Sequence, residues 1–167
     1  MVRVMSASKS VLFLCTGNTC RSPMAEGMFR KAVEKRGDFT VASAGIAAYP
    51  GDEANPETVK FLAGRGIALD GFSSQPVSPE LLEQATHVFA MTSSHLEALE
   101  SLFPEFSDKF FLVCEFVEVP GRGVAADVPD PIGMGKKAYE EVGKTFDLAI
   151  PTLIAFIDQT WQGASSR

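Results

Sequence analysis

Short apolar runs alternate with amphipathic stretches along this chain, which predicts a parallel β-sheet with helices packed against it. The runs with strand-like length and composition lie at 11–14, 39–43, 86–91 and 110–113. The first, Val-Leu-Phe-Leu, is apolar at every position, as is typical of a strand covered on both faces. We therefore predict an α/β fold, a four-stranded parallel sheet with helices on both faces.

The stretch after the first run has helical periodicity. Its apolar side chains recur at i, i+3, i+4, i+7 and i+8, namely at Ala25, Met28, Phe29, Ala32 and Val33. Ser22 is positioned to cap this helix, and Pro23 suits the first helical position, where its missing N–H costs nothing.

Further helices are predicted at 56–65, 93–102 and 135–161. Asn55 precedes the first of these as its cap, with Pro56 at the first position. Pro151 lies inside the last one, where its ring removes a hydrogen bond and clashes with the preceding turn. We expect a kink or break near 147–150.

Length and composition are those of one enzyme-sized domain, 1–167, in which 1–9 form a short N-terminal extension. The chain has 167 residues, 46% of them hydrophobic, and a formal net charge of −6. The negative charge argues against general affinity for nucleic acid or anionic membranes. No apolar run is long enough for a bilayer and residues 1–10 lack a signal-peptide core, so we expect a cytoplasmic protein.

The connection between the first strand and the first helix has the composition of an anion site. Backbone N–H groups in a tight loop, together with a helix N-terminus, bind a tetrahedral oxyanion. Gly17 allows close backbone approach, and Asn18 tolerates a left-handed conformation. The loop residues are Cys15, Thr16, Gly17, Asn18, Thr19, Cys20 and Arg21.

Two side chains of this loop add chemistry to the anion site. Arg21 supplies a planar, charged fork for two phosphate oxygens. The same positive environment stabilises Cys15 as a thiolate, the nucleophilic form. Ser22 is placed to donate a hydrogen bond to the sulfur and so ease its departure later in a catalytic cycle. The plain alternative is that Cys15 and Cys20 are buried small hydrophobes, but this leaves Arg21 unexplained.

The loop and the segments that follow it resemble the low-molecular-weight protein phosphatases along nearly the whole chain. The matching segments are the Cys-x5-Arg-Ser loop with Ser-Pro-Met-Ala-Glu at 22–26, Ser-Ala-Gly at 43–45, Ala-Met-Thr at 90–92 and Asp-Pro at 130–131. The resemblance implies that Cys15 attacks phosphorus while Arg21 and the amides from Thr16 to Ser22 hold the phosphoryl oxygens. It also implies that Asp130 protonates the leaving group and later activates water.

Asp130 lies between two prolines in an aperiodic stretch at 119–135, the kind of long connection that often carries function. An Asp before Pro is also a common turn residue, and only the resemblance favours catalysis. Asp127 is the nearest competitor, and we interpret it as a solvated loop acid.

Other polar residues are assigned structural roles. His87 begins an apolar strand and His95 lies early in a helix, so neither has the neighbours of a base or a metal ligand. Cys114 is expected to be a buried thiol. Cys15 and Cys20 lack a nearby histidine pair, so we expect neither a metal nor another cofactor.

The resemblance also implies that Ser43 hydrogen-bonds to Asn18 and keeps the loop in shape. A histidine usual in that network is replaced here by Gly71. The network is therefore either thinner in this chain or completed by another group.

Thr19 indicates which phosphorylated side chain is the substrate. In the tyrosine-specific branch this position usually holds a bulky aliphatic side chain, and aromatic residues follow the Asp-Pro pair, where this chain has Ile132-Gly133. Thr19 instead resembles the bacterial protein-arginine phosphatases, and a hydroxyl there suits the polar N–H side of a phosphoguanidinium. The resemblance thus favours phosphoarginine in proteins, with phosphotyrosine as the alternative and Ile132 as an exception to both branches.

Two other classes share parts of this pattern. A thiol-dependent arsenate reductase needs a distal cysteine pair, whereas only Cys114 lies beyond the loop. A non-catalytic phosphoprotein-binding module needs neither Cys15 nor Asp130. The expected partners are phosphorylated proteins, and the expected state is a monomer.

Cysteine usage points to a reducing compartment. The chain has three cysteines, an odd number that does not fit a disulfide framework. Because the loop bends back on itself, we predict that Cys15 and Cys20 come close enough to form a disulfide once Cys15 is oxidised. The enzyme is therefore expected to be redox-sensitive.

Overall fold

The core of the molecule is a four-stranded parallel sheet, seen in a computed structural model that describes residues 8–161. The strands lie in the order β2-β1-β3-β4. Their bounds are β1 Lys9–Cys15, β2 Phe39–Gly45, β3 His87–Ala90 and β4 Phe110–Leu112. The predicted fold class is confirmed, and each strand agrees with its apolar run to within a few residues.

Five α-helices connect or flank these strands within residues 8–161. They are α1 Arg21–Ala32, α2 Pro56–Ala63, α3 Pro79–Gln84, α4 Ser93–Leu102 and α5 Lys136–Thr160. A 3₁₀ helix, Pro104–Lys109, precedes β4, and a hairpin of β5 (Glu118–Val119) and β6 (Gly123–Val124) follows it. None of the helices in this part of the chain is long and apolar enough to cross a bilayer.

The side chains of β1 explain why this strand is apolar throughout. Val11 and Phe13 pack into a cluster with residues of α1, α2 and α5. Leu12 and Leu14 point to the opposite face, into a second cluster that includes residues of α3 and α4. Because successive side chains of a strand alternate between faces, helices on both sides require apolar residues at every position.

The strand prediction also missed two residues at the N-terminal end of β1, Lys9 and Ser10. Lys9, assigned above to the N-terminal extension, belongs to β1, where its ammonium pairs with Asp38. Of the rest of that predicted extension, Ser8 is exposed and residues 1–7 lie outside the described residues.

Helix α3 was not predicted. It has six residues, too few for helical periodicity to show, yet its start signals are present. Ser78 caps it by accepting from the backbone N–H of Leu81, and Pro79 occupies the first turn.

Of the kink or break expected near 147–150, the break is wrong, since α5 runs without interruption from Lys136 to Thr160. Ile150 and Leu153 on either side of the proline are buried in the core. Their burial favours continuation of the helix and offsets the hydrogen bond that the proline removes.

Candidate active site

The Cys15–Arg21 loop lies at the carboxyl end of β1 and the amino end of α1. Asn18 has a φ of +57°, the left-handed conformation predicted for it. Gly45, at the end of β2, packs against this loop so closely that a Cβ atom there would lie 2.5 Å from the Thr16 carbonyl oxygen and 3.0 Å from the Asn18 nitrogen. Residue 45 must therefore be glycine for the loop to keep this shape.

The Cys15 sulfur is buried and is contacted by two groups of the same loop. The backbone N–H of Asn18 donates to Sγ over 3.3 Å, and the Ser22 hydroxyl oxygen lies 2.9 Å from it. Ser22 Oγ already accepts from Asn18 Nδ2 at 2.9 Å, so its own hydrogen is available to the sulfur. This is the hydrogen bond predicted for a leaving thiolate.

The capping role predicted for Ser22 is wrong. Helix α1 begins one residue earlier, at Arg21, and its cap position is Cys20, without a side-chain cap. The Ser22 hydroxyl lies inside the first turn and is turned toward Cys15 and Asn18 instead.

The side chain of Asn18 makes three hydrogen bonds. Its Nδ2 donates to Ser43 Oγ over 2.9 Å as well as to Ser22, and its Oδ1 accepts from the backbone N–H of Gln75 at 2.9 Å. The contact between Ser43 and Asn18 is the one that the resemblance implied. Ser43 in turn donates to Glu26 Oε1 over 2.7 Å, so its oxygen is left as an acceptor for Asn18.

Gly71 takes no part in this network. It is exposed, with a φ of +70°, and a Cβ atom there would find no other atom within 4 Å. The network is completed instead by Glu26, which is buried and also accepts from Arg30 at 2.9 Å. Of the two possibilities left by the sequence, completion by another group is the one observed.

Arg21 links the loop to the proline-rich connection that carries Asp130. Its Nη1 donates to the carbonyl oxygen of Val128 over 2.9 Å, and its Nη2 lies 3.8 Å from Asp130 Oδ2. Val128 is fully buried, and its N–H donates to the Met91 carbonyl after β3. These bonds bring Asp130 to the mouth of the loop, where half of its side chain remains exposed.

Asp127, the competing acid, is directed elsewhere. Its Oδ1 accepts from the backbone N–H of Ser93, at the start of α4. The residue is exposed, as the interpretation of a solvated loop acid requires, and it also helps to satisfy the helix terminus.

Polar contacts connect the far side of the loop to α2, with its capping residue, and to α5. The N–H of Asn55 donates to the Thr19 carbonyl over 2.8 Å, and Thr58 Oγ1 donates to the Cys20 carbonyl over 3.2 Å. The Cys20 sulfur lies 3.4 Å from the Tyr139 hydroxyl. Burial raises the pKa of both the Cys20 thiol and the Tyr139 phenol, so both are protonated at neutral pH.

His95 contacts the loop, which its position early in a helix did not indicate. Its Nε2 lies 2.8 Å from Thr16 Oγ1, and its Nδ1 lies 3.1 Å from Thr92 Oγ1. Burial, and secondly the charge of Arg21, lower the pKa of His95 to about 4, so the ring is neutral at physiological pH.

His87 and Cys114 are buried away from solvent, as expected of structural residues. His87 is surrounded by aromatic rings, and burial raises the pKa of the Cys114 thiol to about 11. Within residues 8–161 no group of three or more His, Cys, Asp or Glu side chains is placed to hold a metal ion.

Sequence reasoning missed several residues that shape this site. Of these residues, only Glu26 and Gly45 lie in a sequence motif that could have indicated their role. Glu26 lies in the motif after the loop, and Gly45 ends the Ser-Ala-Gly segment. Gln75, His95 and Tyr139 reach the loop only through the fold, and no spacing in the sequence marks them.

The comparisons with known proteins agree with this geometry. The family model described as "Low molecular weight phosphotyrosine protein phosphatase" matches residues 10–162. A protein-arginine-phosphatase of Bacillus subtilis is 42% identical over 132 residues, which cover 78% of this chain and 85% of that protein. The low molecular weight protein-tyrosine-phosphatase YfkJ of the same species is 35% identical over 159 residues, covering 92% and 98%.

Among solved structures, one of YwlE arginine phosphatase matches with a TM-score of 0.81 and 35% identity, covering 90% of this chain and 97% of that one. It is a cysteine-to-serine mutant with a phosphorylated active site serine. Sequence and fold thus agree, and the chain belongs to the low molecular weight phosphotyrosine protein phosphatase family.

Proposed function

We propose that this phosphatase removes phosphate from phosphoarginine side chains of proteins through a cysteinyl-phosphate intermediate. The observation that carries the choice of substrate is Thr19 in the phosphate loop, together with 42% identity to a protein named for arginine phosphatase activity. Tyrosine phosphatases of the same family are also similar, at 35% identity, so the two substrates have to be compared directly.

In the first step, the Cys15 thiolate attacks phosphorus in line with the bond to the guanidino nitrogen. The loop N–H groups and Arg21 bind the phosphoryl oxygens, whose negative charge suits both the helix N-terminus and the guanidinium. As the phosphorus–nitrogen bond breaks, Asp130 gives its proton to the departing nitrogen. The half-exposed position of Asp130, 3.8 Å from Arg21, supports this role.

In the second step, water attacks the phosphorus of the cysteinyl phosphate and passes a proton to Asp130. The phosphorus–sulfur bond breaks, inorganic phosphate leaves and the Cys15 thiolate is regenerated. The Ser22 hydroxyl, 2.9 Å from the sulfur, stabilises the charge that returns to it. The phosphorylated active site serine in the related YwlE mutant supports a phosphoryl group carried at this position.

A side chain at position 19 acts on the leaving group rather than on the phosphoryl group. Thr19 is half-buried, its carbonyl accepts from the N–H of Asn55, and its Oγ1 lies 3.9 Å from the Cys20 sulfur. A hydroxyl can accept from the N–H groups of a phosphoguanidinium, whereas the ring of a phosphotyrosine gains nothing from it.

The test compares specificity constants for a phosphoarginine protein and a phosphotyrosine peptide. We expect the wild type to prefer phosphoarginine, and Thr19→Ile to shift the ratio roughly ten- to a hundredfold toward phosphotyrosine, as loss of one hydrogen bond to a charged group predicts. Thr19→Val, which removes the hydroxyl at constant shape, separates the polar effect from bulk. A wild-type preference for phosphotyrosine would overturn the proposal.

The other proposed classes predict different results. An arsenate reductase would need a second cysteine pair, and Cys114, the remaining thiol, is fully buried. A phosphoprotein-binding module would bind phosphoarginine without turnover.

We also infer that the protein is a monomer located in the cytoplasm. The free state of all three cysteines supports a reducing compartment, and sedimentation would test the monomer.

A further inference from the structure

His95 is the one buried histidine that touches the phosphate loop, and both of its ring nitrogens are engaged by threonine hydroxyls. The contacts are 2.8 Å from Nε2 to Thr16 Oγ1 and 3.1 Å from Nδ1 to Thr92 Oγ1. Thr16 is exposed and directly follows Cys15, whereas His95 is 8% exposed. The proposed mechanism assigns no role to any of these side chains.

The direction of the two hydrogen bonds follows from the helix cap. Thr92 caps α4, and its Oγ1 accepts from the backbone N–H of His95 at 3.1 Å. The hydroxyl has a single hydrogen, and His95 Nδ1 is the acceptor that lies within reach of it. We assign Nδ1 as the unprotonated nitrogen, which places the hydrogen of the neutral ring on Nε2, from where it is donated to Thr16 Oγ1.

This arrangement leaves the hydrogen of the Thr16 hydroxyl without an acceptor among residues 8–161. This hydroxyl belongs to the residue directly after the nucleophile, and the charges of Arg21, Asp127 and Asp130 act on the pKa of the ring that it contacts. The Thr16 carbonyl is fixed independently, because it accepts from the N–H of Ala47 at 2.9 Å. The backbone thus needs no help from His95, whose contact acts on the hydroxyl.

We propose that His95 is a positioning residue for the phosphatase reaction: it orients the Thr16 hydroxyl so that its hydrogen is donated to an oxygen of the phosphorylated substrate. This inference rests on the proposed function and names a determinant of substrate binding within the same site. Thr16 touches the substrate, whereas His95 acts through Thr16, and Thr92 sets the tautomer of the ring.

The test is a double-mutant cycle on Thr16 and His95. We expect Thr16→Val to raise KM about tenfold, as loss of one hydrogen bond to a charged oxygen predicts, with kcat within about twofold. His95→Leu should raise KM about three- to tenfold, and the double variant should be no worse than Thr16→Val alone. His95→Gln keeps an N–H donor for Thr16 and should restore KM to within about twofold of the wild type.

Full additivity of the two single changes would overturn the inference, as would an unchanged KM in Thr16→Val. A purely structural role would show as a loss of thermal stability in His95→Leu that His95→Gln repairs while KM stays high. If His95→Leu does not fold, His95→Asn takes its place in the cycle, because its amide corresponds to Nδ1 and leaves out the donor to Thr16. Thr16→Val against Thr16→Ser then tests the hydroxyl itself, because only the serine keeps it.

The cycle is measured with p-nitrophenyl phosphate as well as with a phosphoarginine protein. Inactivity on the phosphoarginine protein with turnover of the aryl phosphate would refute the proposed substrate. The cycle on the aryl phosphate would still report on Thr16 and His95, so the two failures are distinguishable.

Discussion

Replacing His87 by phenylalanine isolates what one buried histidine contributes to the pH dependence of folding. The ring is 4% exposed, and its centroid lies 5.5 Å from that of Trp161 and 6.2 Å from that of Phe89. Burial, and secondly the charge of Lys9, lower the pKa of His87 from 6.5 to about 4. Phenylalanine keeps the aromatic packing and removes the titration.

The sign and size of the effect follow from linkage. Between the folded pKa of about 4 and the unfolded value of 6.5, the unfolded chain binds more protons, so stability falls as the pH falls. For one such histidine the loss from pH 7 to pH 5 is roughly 2 kcal/mol. The chain has two histidines, and the pKa of His95 is also lowered to about 4, so the wild type should lose roughly 4 kcal/mol over this interval.

The two carboxylates whose pKa values are lowered contribute little in that window. The pKa values of Asp38 and Asp158 are lowered, chiefly by hydrogen bonds from Arg36, and their stabilising effect is lost only as the pH falls below the ordinary carboxylate value of 3.8. The interval from pH 7 to pH 5 therefore reports on the histidines.

The assay is urea unfolding followed by circular dichroism at pH 7, 6 and 5. We expect His87→Phe to lose roughly half as much free energy of unfolding as the wild type between pH 7 and 5. A double variant, His87→Phe with His95→Gln, should be nearly flat. An equal slope in the wild type and His87→Phe would refute the assignment of a neutral, buried ring at this position.

Four further predictions concern the site itself. Cys15→Ser should still bind phosphate or vanadate while turnover falls by orders of magnitude, and substantial turnover would rule out the cysteinyl-phosphate route. Asp130→Asn should lower kcat roughly 10²–10⁴-fold with little effect on binding, and Asp127→Asn should be mild; the reverse order would show that the acid is misassigned. Gly45→Ala should displace the loop and weaken vanadate binding together with turnover, because the new methyl would lie 2.5 Å from a backbone oxygen; normal titration with vanadate would contradict this. Mild peroxide should inactivate reversibly through a disulfide between Cys15 and Cys20, with poorer recovery in Cys20→Ser, and mass spectrometry without that linkage would refute it.

The amino-acid sequence by itself determined the features that depend on near neighbours. The apolar runs predicted the strands, and the cap at Asn55 predicted the start of α2, because side-chain alternation and helix capping act over a few residues. The left-handed Asn18 and the bond from Ser22 to the sulfur follow equally from a loop of fixed spacing.

Tertiary structure decided which distant groups complete the site. Thr16 and His95 are 79 residues apart, Cys20 and Tyr139 are 119 apart, and the bond from Arg21 to Val128 spans 107. These contacts exist because the carboxyl ends of parallel strands meet at one edge of the sheet and because α5 packs back onto α1 and α2. Hydrogen-bond geometry depends on tenths of an ångström, which no periodicity in a sequence encodes. The completion of the loop network by Glu26 rather than by residue 71, and the contact of His95 with Thr16, therefore emerged only from the folded arrangement.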